Sequence, residues 1–562
     1  QGVSSAASDV YKRQAVAGSG MAVQQQSAAN PSHVVVVGAG WGGWGAAKAL
    51  CEAGVRVTLV DGLADPTGST PLTTASGKPF EAGTRGFWRD YPNINALCDE
   101  LGLSDVFTPF TSSAFWSPQG LEATAPVFGD GPQLPSPLGQ AFATINNFKR
   151  LPVADRLSIA GLLVAMLDLN RSPAVYERYD ALDALTLFRQ LRISERMINE
   201  FLRPILLVGL FKPPEELSAA VTMELLYYYA LAHQDSFDVR WIKCKSIGEQ
   251  LLAPLSRRLC DAHQLQVLGG TFASRLNVSP TGATDSLETR SLATGETGLI
   301  DDVDAVVLAV GARGMGSLMA RSAECAALAP ELARAGGLGA IDVVSVRLWL
   351  DRSIAVDDPA NVFSRFAALK GAGATFFMLD QLQAGNEQAL WGDQAVQGSV
   401  IASDFYNASA IAEQSDQEIV DALMQQLLPQ VQPAFRHAQV VDQEVRRYPA
   451  SVSLFSPGSF QQRPPLETSL ASVVCAGDWV RMGEREHGAK GLCQERAYVC
   501  GLEAANSLLR RGVVRGTGSG EHRVIPIRPD EPQVVLGRAL NKLVMNPLEA
   551  AGLRWPWFAG SR

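Results

Sequence analysis

Residues 33–43 read His33-Val34-Val35-Val36-Val37-Gly38-Ala39-Gly40-Trp41-Gly42-Gly43. A short apolar run of buried-strand type enters a glycine turn, and the turn opens a helix predicted from Trp41 to about Ala53 and stopped by Gly54. Val55 to Val60 then forms a second strand, ended by Asp61, 23 positions after Gly38. Gly38, Gly40 and Gly43 occupy the fixed positions of GxGxxG, with Ala39 and Trp41 in the variable positions of the same stretch. Gly38 allows the tight turn, Gly40 lets the backbone approach a pyrophosphate, and Gly43 lets the helix pack close to the strand. The helix N-terminus offers free N–H groups and partial positive charge to phosphates. Asp61 is expected to accept hydrogen bonds from an adenosine ribose, and its acidity argues against a 2′-phosphate there. A plain glycine-rich turn needs no acid at the end of the next strand.

Working outward, the 562 residues suffice for two to four domain-sized units. Hydrophobic residues at 47% and charged residues at 19% describe an ordinary globular enzyme, and a net charge of -9 argues against nucleic acid as a partner. None of the eight cysteines stands in CxxC spacing, so no zinc or thioredoxin-like site is expected. A reduced intracellular setting is expected, with a plastid or a membrane surface among the alternatives. The most apolar runs, 157–167 and 201–211, fall short of a membrane span, which leaves peripheral membrane contact open.

The first 32 residues lack hydrophobic period and are expected to be disordered. Their opening, QGVSSAASDVYKRQ, reads as a fragment edge, an adapter or the end of a transit peptide. The dinucleotide-binding unit is expected to be discontinuous, at 33–110, 240–345 and 440–510. A mostly helical substrate or cap unit, with some sheet, is expected at 111–239 and 346–439, and a tail at 511–562. Near the far end a strand at 472–476 leads into Gly477-Asp478 and a helix predicted at 489–510, beginning near Gly488.

The first motif does not separate FAD from NAD. Cys475-Ala476-Gly477-Asp478-Trp479 resembles the element of two-dinucleotide-binding flavoproteins that meets the flavin ribityl and phosphate region; standing alone, Gly477-Asp478 is also an ordinary turn or helix cap. Further segments resemble the flavin amine oxidase and carotenoid (phytoene-type) desaturase superfamily: GKPFEAGTRGFWRDYPNINALCDELGL at 77–103, FLRPILLVGLFKPPEELS at 201–218 and RWIKCKSIGEQLLAPLSRRL at 240–259. VSVRLWLDR at 344–352 and QERAYVCGLEAAN at 494–506 are most similar to carotene desaturases. The resemblance implies an α/β, Rossmann-like FAD domain of the two-dinucleotide-binding type carrying an inserted substrate domain. It implies one noncovalent FAD, and a final helix whose N-terminus, near Gly488, faces the flavin. Two departures stand out. The family's Gly-Gly-Arg loop is replaced by Asp65-Pro66-Thr67-Gly68-Ser69-Thr70, with Arg85 as a candidate substitute, and the last turn reads Gly488-Ala489-Lys490-Gly491.

The implied enzyme is an FAD-dependent oxidoreductase that desaturates or isomerises a lipophilic polyene by hydride transfer to flavin N5, with a quinone or O2 as electron acceptor. No Ser-His-Asp set or paired-carboxylate motif is present, and a polyene cation, being delocalised, needs none. The alternatives are a flavin amine oxidase, for which Lys243 is the candidate N5 lysine, and a flavin-free binder resembling the Rab GDP-dissociation inhibitors. His487 is a second candidate near the flavin. Phe110, Phe115, Trp116, Phe201, Phe211 and Tyr227 to Tyr229 are candidates for lining a hydrocarbon tunnel, although most such residues build ordinary core.

Overall fold

The structure is a computed structural model that describes residues 31–550 apart from 171, 264, 489–492 and 519. Residues 1–30 and 551–562, parts of the expected disordered segment and tail, lie outside the described residues. The strand His33–Val37 (β1), the helix Trp41–Glu52 (α1) and the strand Arg56–Val60 (β2) form the expected β-α-β unit. They sit in a five-stranded parallel sheet in the order Val473–Cys475, Ala305–Leu308, β1, β2, Leu265–Leu268.

Both faces of β1 are covered, as its unbroken valine run requires. Val34 and Val36 pack with Trp44 and Leu50 of α1 and with Leu502 and Leu508 of the helix Gln494–Arg510. Val35 and Val37 pack on the other face, with Leu276 and Leu287. Those two leucines belong to a three-stranded antiparallel sheet, Thr271–Val278, Thr284–Ser291 and Thr297–Ile300. The helix Gln494–Arg510 lies against α1 at very short range: a Cβ placed on Gly501 would come 2.0 Å from the Gly42 carbonyl oxygen.

A second, seven-stranded sheet runs in the order Val440–Ser453, Ala340–Leu350, Val400–Tyr406, Gly373–Met378, Ala360–Phe363, Ser113–Ser117, Gly120–Ala125. Here the observed connectivity corrects the expected boundaries. The segments 340–345 and 440–453 were assigned to the nucleotide-binding unit, yet Ala340–Leu350 and Val440–Ser453 pair with each other in this second sheet. Val440–Ser453 is a half-exposed edge strand rich in polar residues, so its composition carries no sign of which sheet it joins. Cap helices follow between 138 and 230, among them Leu138–Thr144, Ala160–Asp168, Arg203–Gly209 and Ala219–Ala230, and the last two contribute wall residues to the cavity described next. Within the segment expected as a tail, Pro532–Ala550 is a helix.

Candidate flavin site and substrate cavity

The glycine turn opens at the carboxyl end of β1, beside the ends of two neighbouring parallel strands, where ligands of open α/β sheets bind. One cavity of about 560 Å³ begins there. Its walls at this end are Gly40, Trp41 and Gly42 from the turn, Ala309 to Gly311 after Ala305–Leu308, and Ala476 to Asp478 after Val473–Cys475. The N-terminus of α1 has no side-chain cap and no acidic residue in its first turn, so its orphan N–H groups are available to an anion. A Cβ on Gly40 would meet nothing within 4 Å. That open volume over a helix N-terminus fits a pyrophosphate, and the residues present therefore fit FAD.

Asp61 ends β2 as expected, and its carboxylate braces the turn: Oδ2 accepts from Ala39 N at 2.7 Å and Oδ1 from Leu63 N at 2.7 Å. The loop that replaces Gly-Gly-Arg is knotted on Asp65, which accepts from the hydroxyls of Thr67, Ser69 and Thr70 and from the N–H of Thr67 and Thr70. These bonds hold the Asp65 carboxyl well below the usual range. Arg85 does line the cavity; it is half exposed and 3.5 Å from Glu81. The adjacent Thr84 N donates to Asp404 Oδ2 at 3.0 Å, which fixes this stretch against the second sheet.

Gln494, a residue the motif reading did not single out, ties the site together. Its Oε1 accepts from Trp41 Nε1 at 2.8 Å, and its Nε2 donates to the Gly86 carbonyl at 2.9 Å. It stands at the first turn of the helix Gln494–Arg510, whose N-terminal residues Cys493, Gln494 and Ala497 line the cavity. The described helix starts there, six positions beyond Gly488. Gly488 has φ +65° and does not line the cavity, and 489–492 lie outside the described residues.

The two weaker candidates sit elsewhere. His487 is buried with its Nε2 3.1 Å from Glu495 Oε1. Glu495 in turn accepts from Asn93 N and Ile94 N, capping the helix Pro92–Glu100; the histidine belongs to that structural cluster and not to the cavity wall. Lys243 forms an exposed pair with Asp105 at 2.6 Å, so it is held at the surface, away from the cavity. Of the tunnel candidates, Phe115, Phe211, Tyr228 and Tyr229 line the cavity. Phe110 instead lies beneath Arg89 and Arg240, Trp116 donates to Asn361 Oδ1, Phe201 packs on Phe148, and the Tyr227 hydroxyl donates to Asp530. Among the described residues no cluster could hold a metal ion.

Gly477 takes φ +138°, a backbone that favours glycine. Desolvation pushes the Asp478 carboxyl up to about 6 from an ordinary 3.8, against the pull of Arg496 and Arg463. A carboxyl raised in this way lends its stability below the unfolded value and withdraws it as pH rises through 6. Asp478→Asn should therefore raise the denaturant-unfolding stability of the FAD-free protein at pH 8 by about 1–3 kcal/mol and leave it unchanged near pH 4. An equal gain at both pH values would show that the carboxyl is well solvated.

A family model described as flavin containing amine oxidoreductase matches residues 43–512. The carotenoid phi-ring synthase of Streptomyces griseus is 29% identical over 493 residues, covering 86% of this chain and 89% of that protein. The 15-cis-phytoene desaturase of Synechococcus elongatus is 23% identical over 458 residues, covering 79% of this chain and 90% of that protein. Among solved structures, the cyclohexylamine oxidase of Brevibacterium oxydans superposes with a TM-score of 0.59 at 15% identity, covering 85% of this chain and 99% of its own.

Proposed function

Since this chain belongs to the family of flavin-containing amine oxidoreductases and is an FAD-dependent oxidoreductase, we propose that it oxidises a lipophilic polyene of carotenoid type. One observation carries the choice of a polyene over an amine. Past the flavin end the cavity is walled by Phe115, Phe128, Phe211, Tyr229 and Phe377, and the carboxylates there are already satisfied. Asp238 accepts from Phe128 N, Gly129 N and Arg89, and Asp90 accepts from Arg528 Nε at 2.7 Å. An ammonium entering this end would lose its hydration and find no unpaired carboxylate, whereas a hydrocarbon loses nothing. The two relatives named for carotenoid and phytoene chemistry support the same reading.

The protein's own part is binding, orientation and exclusion of water. The N-terminus of α1 would take the pyrophosphate, Asp61 the ribose, and Gly477-Asp478 the ribityl region. The Trp41–Gln494–Gly86 link holds the two glycine-containing walls at fixed spacing and sets the positive end of the helix Gln494–Arg510 toward the cavity. Bound FAD supplies the hydride acceptor; a quinone or O2 then takes the electrons. Carotene carried in liposomes should bleach the flavin in the absence of air, while monoamines and polyamines leave it oxidised. Rapid bleaching by an amine, followed by peroxide when air is admitted, would give the site to amine oxidation instead.

A membrane surface is the proposed source of such a substrate. No helix among the described residues is long and apolar enough to cross a membrane. The helix Pro532–Ala550 nevertheless exposes Leu536, Leu540 and Leu543 at 58%, 54% and 71%, a stripe at helical spacing. Its opposite side is fastened to the cap, where Arg538 donates to the Leu169 carbonyl and Asn541 to Asp168. Leu138 and Phe142 of the helix Leu138–Thr144 are also exposed, and Gln533 of Pro532–Ala550 donates to the carbonyl of Ser136, just ahead of that helix. Replacing Leu540 and Leu543 together by Glu should cut liposome co-sedimentation by about tenfold or more, the scale of losing two buried leucines. Turnover of a detergent-dispersed substrate should stay unchanged. Wild-type sedimentation in the double variant would remove the helix from the contact.

A further inference from the structure

A second cavity of about 210 Å³ lies behind the wall of the first; among the described residues the two share only Thr84, Arg85 and Trp241. No described residue of the Gly38–Gly43 turn or of 476–497 lines it. Arg347 and Gln383 line this cavity and not the main one. They are only 7% and 6% exposed, yet Arg347 Nε and Gln383 Oε1 have no hydrogen-bond partner. Trp241, in the shared wall and 8% exposed, has an unpartnered Nε1 as well. Buried polar atoms are almost always satisfied, so unpartnered atoms on three side chains around one small cavity call for an occupant.

The chemistry of these groups selects it. Arg347 is a buried cation, placed on the strand Ala340–Leu350, with one N–H spent on the Glu81 carbonyl at 3.0 Å; with Arg85 and Lys245 it outnumbers the carboxylates of the lining, Glu81 and Glu249, and its free Nε asks for an anionic oxygen. Gln383 Oε1 asks for a donor. Phe80, Ile247, Leu379, Leu382 and Leu390 supply apolar walls between them. We propose that this cavity is a binding site for a small aromatic hydroxy acid, whose carboxylate takes the Arg347 and Trp241 N–H groups and whose hydroxyl donates to Gln383. The volume admits a single ring. This site is separate from the one assigned to substrate oxidation, and binding there reads the second cavity whatever the main cavity oxidises.

Calorimetric titration of the FAD-loaded protein with 4-hydroxybenzoate should show one saturable site. Benzoate, lacking the donor, should bind about tenfold more weakly, and 4-hydroxybenzyl alcohol, lacking the charge, at least tenfold more weakly than 4-hydroxybenzoate. Gln383→Leu should bring 4-hydroxybenzoate down to the level of benzoate while leaving benzoate unchanged. Arg347→Met should abolish binding of both acids; if that variant does not fold, the Gln383→Leu comparison decides alone. FAD-free protein should bind the acid with the same stoichiometry. No saturable heat up to about 10 mM, a Gln383→Leu protein that still prefers the hydroxy acid, or competition between the acid and FAD would each overturn the assignment.

Discussion

Gly40→Val should yield a folded protein that no longer holds FAD. Gly40 sits at φ -70° and ψ -179°, an extended backbone open to any residue. A Cβ there meets no protein atom within 4 Å, so the protein itself has room for the new side chain. The space it fills is the space over the N-terminus of α1, where a pyrophosphate must come into contact with backbone N–H groups. The expected result is an FAD dissociation constant raised at least about 100-fold, roughly 2.7 kcal/mol. The denaturation midpoint of the FAD-free protein should stay within about 1 kcal/mol of wild type, the scale of a changed helix cap. Fluorescence titration with FAD and urea unfolding of the FAD-free protein measure the two halves. A yellow Gly40→Val protein with wild-type affinity would show that the turn does not bind the cofactor.

Gly43→Ala should do the reverse and damage the fold itself. The added Cβ would stand 1.8 Å from the Gly38 carbonyl oxygen and 2.9 Å from its carbonyl carbon. Both are backbone atoms of the turn that enters α1, and Gly38 N is itself held by the Val60 carbonyl at 2.8 Å. Relief therefore requires moving the turn away from the sheet, at a cost on the order of 3 kcal/mol or more. The FAD-free Gly43→Ala protein should unfold at markedly lower urea with an unchanged m-value. FAD binding should weaken as a consequence, because the turn has shifted. An FAD-free midpoint equal to wild type would mean that strand and helix approach less closely than these distances state. The two glycines thus separate by phenotype, one guarding ligand space and the other protein space, although the motif treats them alike.

The β-α-β unit, the position of Asp61 at the end of β2 and the placement of Gly477-Asp478 after a strand were all legible in the chain. Each is a local matter: valine runs, glycine spacing and a terminal acid lie within a few turns of one another. The last helix was expected to open near Gly488; 489–492 lie outside the described residues, and the described helix begins at Gln494. The segment 440–453 was assigned to the nucleotide-binding unit, whereas Val440–Ser453 pairs with Ala340–Leu350 in the second sheet; an edge strand with one wet face looks alike on any sheet. His487 and Lys243 were chosen by residue type and position, which say nothing of whether Glu495 or Asp105 already occupies the side chain.

The dinucleotide fold, its cofactor class and the family can be read along the chain, because they depend on short-range spacing that survives in one dimension. Contacts between residues hundreds of positions apart arise only once the chain is packed. Trp41 reaches Gln494, Gly501 admits the Gly42 carbonyl, and Asp90 is taken by Arg528. No periodicity encodes such pairs. Each partner sits in an unremarkable local context, and its role follows only from which surfaces the packed sheets and cap helices bring face to face.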